Sequence, residues 1–181
     1  MKIRTRKKGF GILEVLLAGV IIIIVMSAIV VLGRSAMTKT QYLQQRAEAT
    51  FLAQEGIELI RQIRDSNYID GNNATAWDNI TLTTKPTLGR DYFIIFNSSR
   101  YFMTTTAQTI DVGGVRFTRK INYRRINDSL PSPMLSQPAG TSTQELINNS
   151  YIVESTVTWS FLGQSKNVVL RELITNSRQQ F

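Results

Sequence analysis

The stretch KKGFGILEVLLAGVIIIIVMSAIVVLG, residues 7–33, decides the architecture of this chain. Its apolar part extends from Phe10 to Gly33. At about 1.5 Å per residue this segment forms a helix of roughly 36 Å, which exceeds the hydrocarbon core of a bilayer, about 30 Å thick. The segment is therefore predicted to be a membrane-spanning helix.

Glu14 is the one charged residue within this apolar segment. An acidic side chain at the centre of a membrane helix costs roughly 2.5 to 3.5 kcal/mol, so it calls for a partner or for water. Two interpretations follow from the sequence. Either Glu14 has a partner that compensates its charge, or it lies at the membrane interface and reaches water.

A basic leader precedes the apolar segment and contains Lys2, Arg4, Arg6, Lys7 and Lys8. An excess of Lys and Arg beside a span stays in the cytoplasm, so the amino terminus is predicted inside and the rest of the chain outside. A secretory signal peptide and a generic signal anchor are the alternatives. The apolar core of a signal peptide, however, measures only about 7 to 15 residues.

The net charge of the chain is concentrated in this leader. The 21 basic and 13 acidic residues give +8, and removal of the five leader charges would leave +3. The basic composition is therefore interpreted as a targeting feature rather than as a sign of nucleic-acid binding.

The sequence KGFGILE at residues 8–14, followed by the apolar helix, resembles the prepilin signature of type IV pilins and type II secretion pseudopilins. The resemblance implies that a prepilin peptidase cleaves between Gly9 and Phe10 and that Phe10 becomes N-methylated. It also implies that Glu14 pairs with the terminal ammonium of a neighbouring subunit and fixes the axial register of a filament. Gly11 departs from the family, which more often has Thr or Ser there.

Elementary chemistry is consistent with that implication. Gly9 has no side chain to obstruct the approach of a peptidase. Cleavage would create an ammonium group at Phe10, about 6 Å along the helix axis from the level of Glu14. In a low dielectric an unpaired carboxylate costs several kcal/mol, and a cation recovers much of that penalty.

The helix is predicted to continue beyond the membrane, because residues 34–66 contain no proline and are rich in good helix formers. Apolar or small residues recur there at steps of three and four, typical of an amphipathic helix: Leu52, Gly56, Leu59, Ile60 and Ile63. Residues 10–66 would form a continuous helix of about 85 Å. Gly19 and Gly33 are sites either of local unwinding during assembly or of close helix packing.

The remaining chain has the pattern of strands. Residues 92–96 and 101–106 are short β-prone segments, and residues 115–124 alternate after Gly113 and Gly114. Residues 151–161 and 166–175 form the clearest hairpin, with a turn at 162–165. The predicted fold is α+β, with a long amino-terminal helix packed on a small antiparallel sheet. Its predicted segments are a leader (1–9), a filament-core helix (10–33), its amphipathic continuation (34–66) and a β-rich head (67–181).

Two polar segments of the chain are predicted to be turns or loops. Asp65, Asn67, Asp70 and Asn72 are candidate calcium ligands, but the EF-hand spacing is absent and a solvated turn is favoured. Residues 129–143 contain three prolines and are predicted to be an irregular surface loop. Glycosylation sequons begin at five asparagines, which the Asn-rich composition explains more simply: Asn73, Asn79, Asn97, Asn127 and Asn148.

The composition gives little support to catalysis. The chain has no histidine and no cysteine, which excludes thiolate chemistry, the commonest general base and His or Cys metal sites. No phosphate loop or nucleophile elbow is present. We therefore expect a protein that is not an enzyme and that needs neither a cofactor nor a metal.

The densest basic cluster of the head alternates with the aromatic residues Phe117 and Tyr123, and it consists of Arg116, Arg119, Lys120, Arg124 and Arg125. A nucleic-acid surface, with contacts from Arg116, Lys120 and Arg124, would have this composition. The alternation favours a solvated strand face whose arginines face water and whose aromatic residues point inward.

The sequence thus predicts a structural filament subunit made as a prepilin. Its expected partners are a prepilin peptidase, other pilin or pseudopilin subunits, a membrane assembly platform with its ATPase and, before assembly, membrane lipid. The combination of residues 52–67 with the terminal hairpin resembles minor pilins, particularly prepilin-like proteins of bacterial candidate phyla. We expect a single-pass cytoplasmic membrane protein that later enters a cell-surface filament. The alternative is a filament-tip module for adhesion or DNA capture through the basic strand.

Overall fold

The computed structural model of the protein describes residues 11–69, 78–79, 84–97, 100–125 and 150–175. One helix, α1 (Ile12–Ile69), is followed by six strands, and the predicted α+β class is confirmed. The strands are β1 (Asp91–Asn97), β2 (Arg100–Thr104), β3 (Thr109–Val112), β4 (Val115–Arg125), β5 (Ser150–Phe161) and β6 (Gln164–Thr175). The chain divides into two compact units, residues 1–44 and 45–181.

The first unit contains the apolar part of α1. The helix remains α-helical through both Gly19 and Gly33, where no atom outside the local helix backbone lies within 4 Å of an added Cβ. Its large apolar side chains are exposed, and none of residues 12–37 is buried. Nothing in the described part of the chain therefore covers this apolar surface.

The second unit contains an antiparallel sheet with the strand order β2-β1-β4-β5-β6, and β3 also pairs with β4. Phe117 of β4 lies opposite Trp159 of β5, and Val157 of β5 lies opposite Val168 of β6. The β5–β6 hairpin that the sequence predicts is confirmed. Its turn consists of Leu162 and Gly163, with φ angles of 50° and 76°.

The core of the second unit lies between the sheet and residues 49–67 of α1. The buried side of the helix recurs at steps of four and three residues, namely Ala49, Ala53, Gly56, Ile60, Ile63 and Asn67. Opposite it, the odd-numbered residues are buried from 117 to 123 in β4 and from 153 to 159 in β5, including Phe117, Ile121, Val153 and Val157. The predicted amphipathic half of the helix therefore packs on the sheet, with Leu52 only half-buried at its edge.

Several predictions fall outside the described residues. They concern the leader residues Lys2, Arg4, Arg6, Lys7 and Lys8, the cleavage site at Gly9 and Phe10, the turn residues Asp70 and Asn72, the loop at 129–143, and the sequons that begin at Asn73, Asn127 and Asn148. They remain predictions from the sequence.

Candidate functional site

The exposed apolar surface of α1 is the first candidate functional feature. Ile12, Leu16 and Ile23 expose 83%, 63% and 68% of their surface. Within the described residues, α1 is the one helix long and apolar enough to cross a membrane. A contiguous apolar surface of this extent is typical of a membrane or a protein interaction site rather than of a surface in contact with water.

Glu14 lies in the first turn of α1, and its side chain is exposed. Its backbone N–H donates to the carbonyl of Gly11 at 2.9 Å. The amino-terminal end of a helix carries a partial positive charge, so an acidic residue in this turn is favourable. The carboxylate is therefore held at the start of the apolar segment, where a neighbouring cation can reach it.

Four hydroxyl groups of α1, those of Ser27, Thr38, Thr40 and Thr50, donate to backbone carbonyls one turn earlier in the helix. Ser27, inside the apolar segment, donates to the carbonyl of Ile23. Thr38 and Thr40 donate to the carbonyls of Arg34 and Ala36, each at 3.0 Å. A polar group in lipid needs such a partner, so Ser27 is compatible with a hydrocarbon environment.

The basic strand β4 presents Arg116, Lys120 and Arg124 on the face of the sheet that lies away from α1. Lys120 Nζ lies 2.8 Å from Asp91, and Arg124 lies 3.8 Å from Glu154. Arg171 of β6 pairs with the same Glu154 at 2.6 Å. Cations and carboxylates therefore alternate on this face, which lowers its net charge.

The aromatic residues of β4 point inward as the alternation predicts. Phe117 is fully buried and Tyr123 is 5% exposed. Neither ring is available to stack on a base, which is the contact that single-stranded nucleic acid requires of an aromatic side chain. Nucleic-acid capture by this strand remains a prediction from the sequence, and the geometry adds no observation in its favour.

Arg119 corrects the prediction that all the arginines of β4 face water. Its side chain is 9% exposed and donates to Glu55 at 2.8 Å and to the backbone carbonyl of Leu52 at 3.1 Å. It shares the inner face with Phe117 and Ile121 because it shares their odd parity along the strand. The in–out alternation of side chains along β4 predicts an inward position for Arg119. Its charge instead favours a place among the exposed cations of the strand.

Two of the candidate calcium ligands, Asp65 and Asn67, are among the described residues, and both form other contacts. Asp65 accepts from Arg64 at 2.8 Å. Asn67 is buried, accepts from Arg100 and donates to the carbonyl of Asn79, both at 2.9 Å. Asn67 therefore ties the end of α1 to β2 and to the segment at 78–79. The sequon at Asn79 begins at a residue that is only 8% exposed.

A buried polar group that sequence reasoning missed lies beside this contact. The Asp78 side chain is 3% exposed; its carboxylate accepts from the Tyr151 hydroxyl at 2.9 Å and lies 3.3 Å from Lys85. Burial, with the hydrogen bond to Asp78, raises the pKa of Tyr151 to about 12. No local pattern marks Asp78, because its hydrogen-bond partner Tyr151 lies 73 residues away in the sequence.

No family model, curated protein or solved structure matches the chain.

Proposed function

We propose that the chain is a structural subunit of a type IV pilus or of a type II secretion-like pseudopilus. It is made as a prepilin, cleaved after Gly9 and N-methylated at Phe10. It then enters a filament through the apolar part of α1, with the β-rich unit outside. The observation that carries the proposal is an exposed apolar helix, 12–33, whose one charge lies in its first turn.

The position of Glu14 gives this proposal its physical content. A membrane anchor needs no acid, and an unpaired carboxylate in lipid is costly. Cleavage at Gly9 would supply an ammonium group at Phe10 of a neighbouring subunit, close to the depth of Glu14. The pair then recovers much of the desolvation penalty only in processed, assembled subunits.

The architecture supports the same proposal. The helix residues from Ala49 onward cover the sheet, whereas residues 12–33 have no cover among the described residues. Those apolar residues can therefore pass from lipid to neighbouring helices without any change in the packing between α1 and the sheet. Prepilin peptidase, sister subunits and the assembly platform with its ATPase are the partners that this role requires.

The first test is Glu14→Ala, expressed with the assembly machinery. We expect normal membrane insertion and normal cleavage, but a loss of at least tenfold in the amount recovered in sheared filaments. Glu58→Ala, which removes an exposed acid from the same helix, serves as the control and should assemble normally. Normal incorporation of Glu14→Ala would refute the role of the carboxylate in register.

The second test concerns the cleavage site. Gly9→Ala should retain the leader, which intact-mass measurement would detect as a chain that does not begin at Phe10. Gly11→Ala is the matched control, because it changes a glycine on the other side of the proposed bond and should still be cleaved. A Gly9→Ala product that begins at Phe10 would overturn the assignment.

A further inference from the structure

Strand β6 forms one edge of the sheet. It is the last strand in the sheet order, and it pairs with β5 over its whole length without a bulge. No described strand lies on its other side. Among the described residues, no strand pairs with the backbone groups that point away from β5, and such groups can pair with a strand of another chain.

The turn between β5 and β6 determines which groups these are. A two-residue turn with positive φ at both Leu162 and Gly163 makes Phe161 and Gln164 a hydrogen-bonded pair. Hydrogen-bonded and non-hydrogen-bonded pairs then alternate. The outward N–H and C=O groups accordingly belong to odd-numbered residues, among them Ser165, Asn167, Val169, Arg171 and Leu173.

This edge lacks several of the features that usually protect an edge strand. It contains no proline and no glycine, and its centre is the apolar sequence Val168, Val169, Leu170. Val169 exposes 37% of its surface and Leu173 exposes 41%. Although Lys166, Arg171 and Glu172 are charged, a long and regular edge with an apolar centre favours pairing with another strand.

The side chains on β6 are complementary to those of a second, antiparallel copy. If Val169 lies opposite itself, Val168 lies opposite the partner's Leu170, and Lys166 lies opposite the partner's Glu172. This last pair is of the non-hydrogen-bonded type, in which side chains are closer together. The two hydrogen bonds that Arg61 donates to Glu172 both go to Oε1, which leaves Oε2 for the incoming ammonium group.

We propose that β6 is a homodimerisation edge, at which two copies of this chain pair antiparallel about a two-fold axis through Val169. Because of the two-fold axis, the pair between Lys166 of one copy and Glu172 of the other occurs twice. A shift of one position, with Leu170 opposite itself, would place Val168 opposite the partner's Glu172. Centring on Arg171 would place like charges together, so the complementarity selects Val169. The two-fold axis is perpendicular to the sheet, so the parts of α1 that pack on the two sheets run in opposite directions. The paired copies therefore belong to different membranes or different filaments, and the proposal does not rest on the filament role.

The absence of cysteine from the chain permits a direct test by single-cysteine cross-linking. In the purified full chain in detergent, Val169→Cys should give a disulfide-linked dimer, because residues in such a pair have Cα atoms about 5.5 Å apart, within disulfide range. Asn167→Cys is the matched control. Its two copies would lie about 13 Å apart and should not cross-link.

Mixing two single-cysteine variants gives a second test of which residues lie opposite each other on the two β6 strands. Asn167→Cys chains and Arg171→Cys chains should not cross-link alone, but should form a heterodimer when mixed. Lys166→Glu, introduced into the Val169→Cys chain, should lower the dimer yield roughly tenfold, because it places carboxylates opposite each other twice. Lys39→Glu makes the same charge change far along the sequence and should not lower the yield.

Two results would overturn the proposal. They are equal cross-linking of Val169→Cys and Asn167→Cys, and failure of the mixed Asn167→Cys and Arg171→Cys chains to form a heterodimer.

Discussion

At the scale of single residues, Gly56 determines how closely α1 can approach the sheet. A Cβ at this position would lie 2.6 Å from Oγ of Ser155 and 2.9 Å from Cδ of Arg119. Contacts below 3.0 Å require one of the groups to move. The sequence identified Gly56 as a member of the apolar stripe, but the need for a glycine there comes from β4 and β5.

We expect Gly56→Ala to lower the free energy of unfolding of the second unit by about 1 to 3 kcal/mol, because overpacking forces neighbouring groups to shift. Urea denaturation would measure this. Ser155→Ala should recover part of the loss, because it removes the nearest atom, and that buried Oγ has no hydrogen-bond partner among the described residues. Gln54→Ala, on the exposed side of the same helix, is the control. An unchanged unfolding midpoint for Gly56→Ala would contradict the close approach.

At the scale of elements, an ion pair connects α1 to β4. Arg119 is almost fully buried, whereas the side chain of its partner Glu55 is 55% exposed. Replacing one residue of the pair leaves the charge of the other, and the cost depends on whether that remaining charge is buried. Loss of Glu55 leaves a buried cation without its countercharge, but loss of Arg119 leaves a carboxylate that water can solvate.

We therefore expect Glu55→Ala to destabilise the second unit more than Arg119→Met, which keeps much of the apolar stem. The expected cost of Glu55→Ala is about 1 to 3 kcal/mol, the penalty of a buried charged group that loses a partner. The double variant should behave like Arg119→Met, since no buried charge remains. A double-mutant cycle by chemical denaturation measures this, and equal costs for the two single variants would contradict the asymmetry.

At the scale of the whole molecule, a group of tyrosines in the second unit links its stability to pH. Tyr123 packs edge-on against both Tyr92 and Tyr151, at centroid distances of 6.3 and 5.9 Å. Burial, with the nearby Asp78, raises the pKa of Tyr123 well above its ordinary value of 10.0. The pKa of Tyr151 is raised to about 12.

A raised pKa in the folded state means that the unfolded chain loses its proton first as pH rises. The stability is therefore fully present below pH 10.0 and is lost as pH rises toward about 12 for Tyr151, with Tyr123 extending the loss further. We expect the free energy of unfolding, measured in urea at several pH values, to fall above pH 10.0. Tyr151→Phe should reduce that slope and Tyr42→Phe should not; equal slopes would contradict the linkage.

The parts of the fold that depend on residues close together in the sequence could be predicted from the sequence. The apolar segment, the helical steps of three and four, and the β5–β6 turn are all properties of neighbouring residues, so the helix, the hairpin and the α+β class followed from them. The short strand β3 was missed, because Thr109–Val112 has little pattern of its own and gains its form by pairing with β4. The helix also continues three residues past the predicted end, where Asn67 is held by β2.

The sequence by itself determined the apolar helix with its single acid at Glu14, because length, hydropathy and charge are encoded locally. Only the tertiary structure decided that Arg119 pairs with Glu55 inside the core and that Gly56 must stay small. A cation enters a core when a countercharge meets it there, and Glu55 lies 64 residues away along the chain. Such distant pairs exist only once the helix has packed on the sheet, so no local pattern of residues could reveal them.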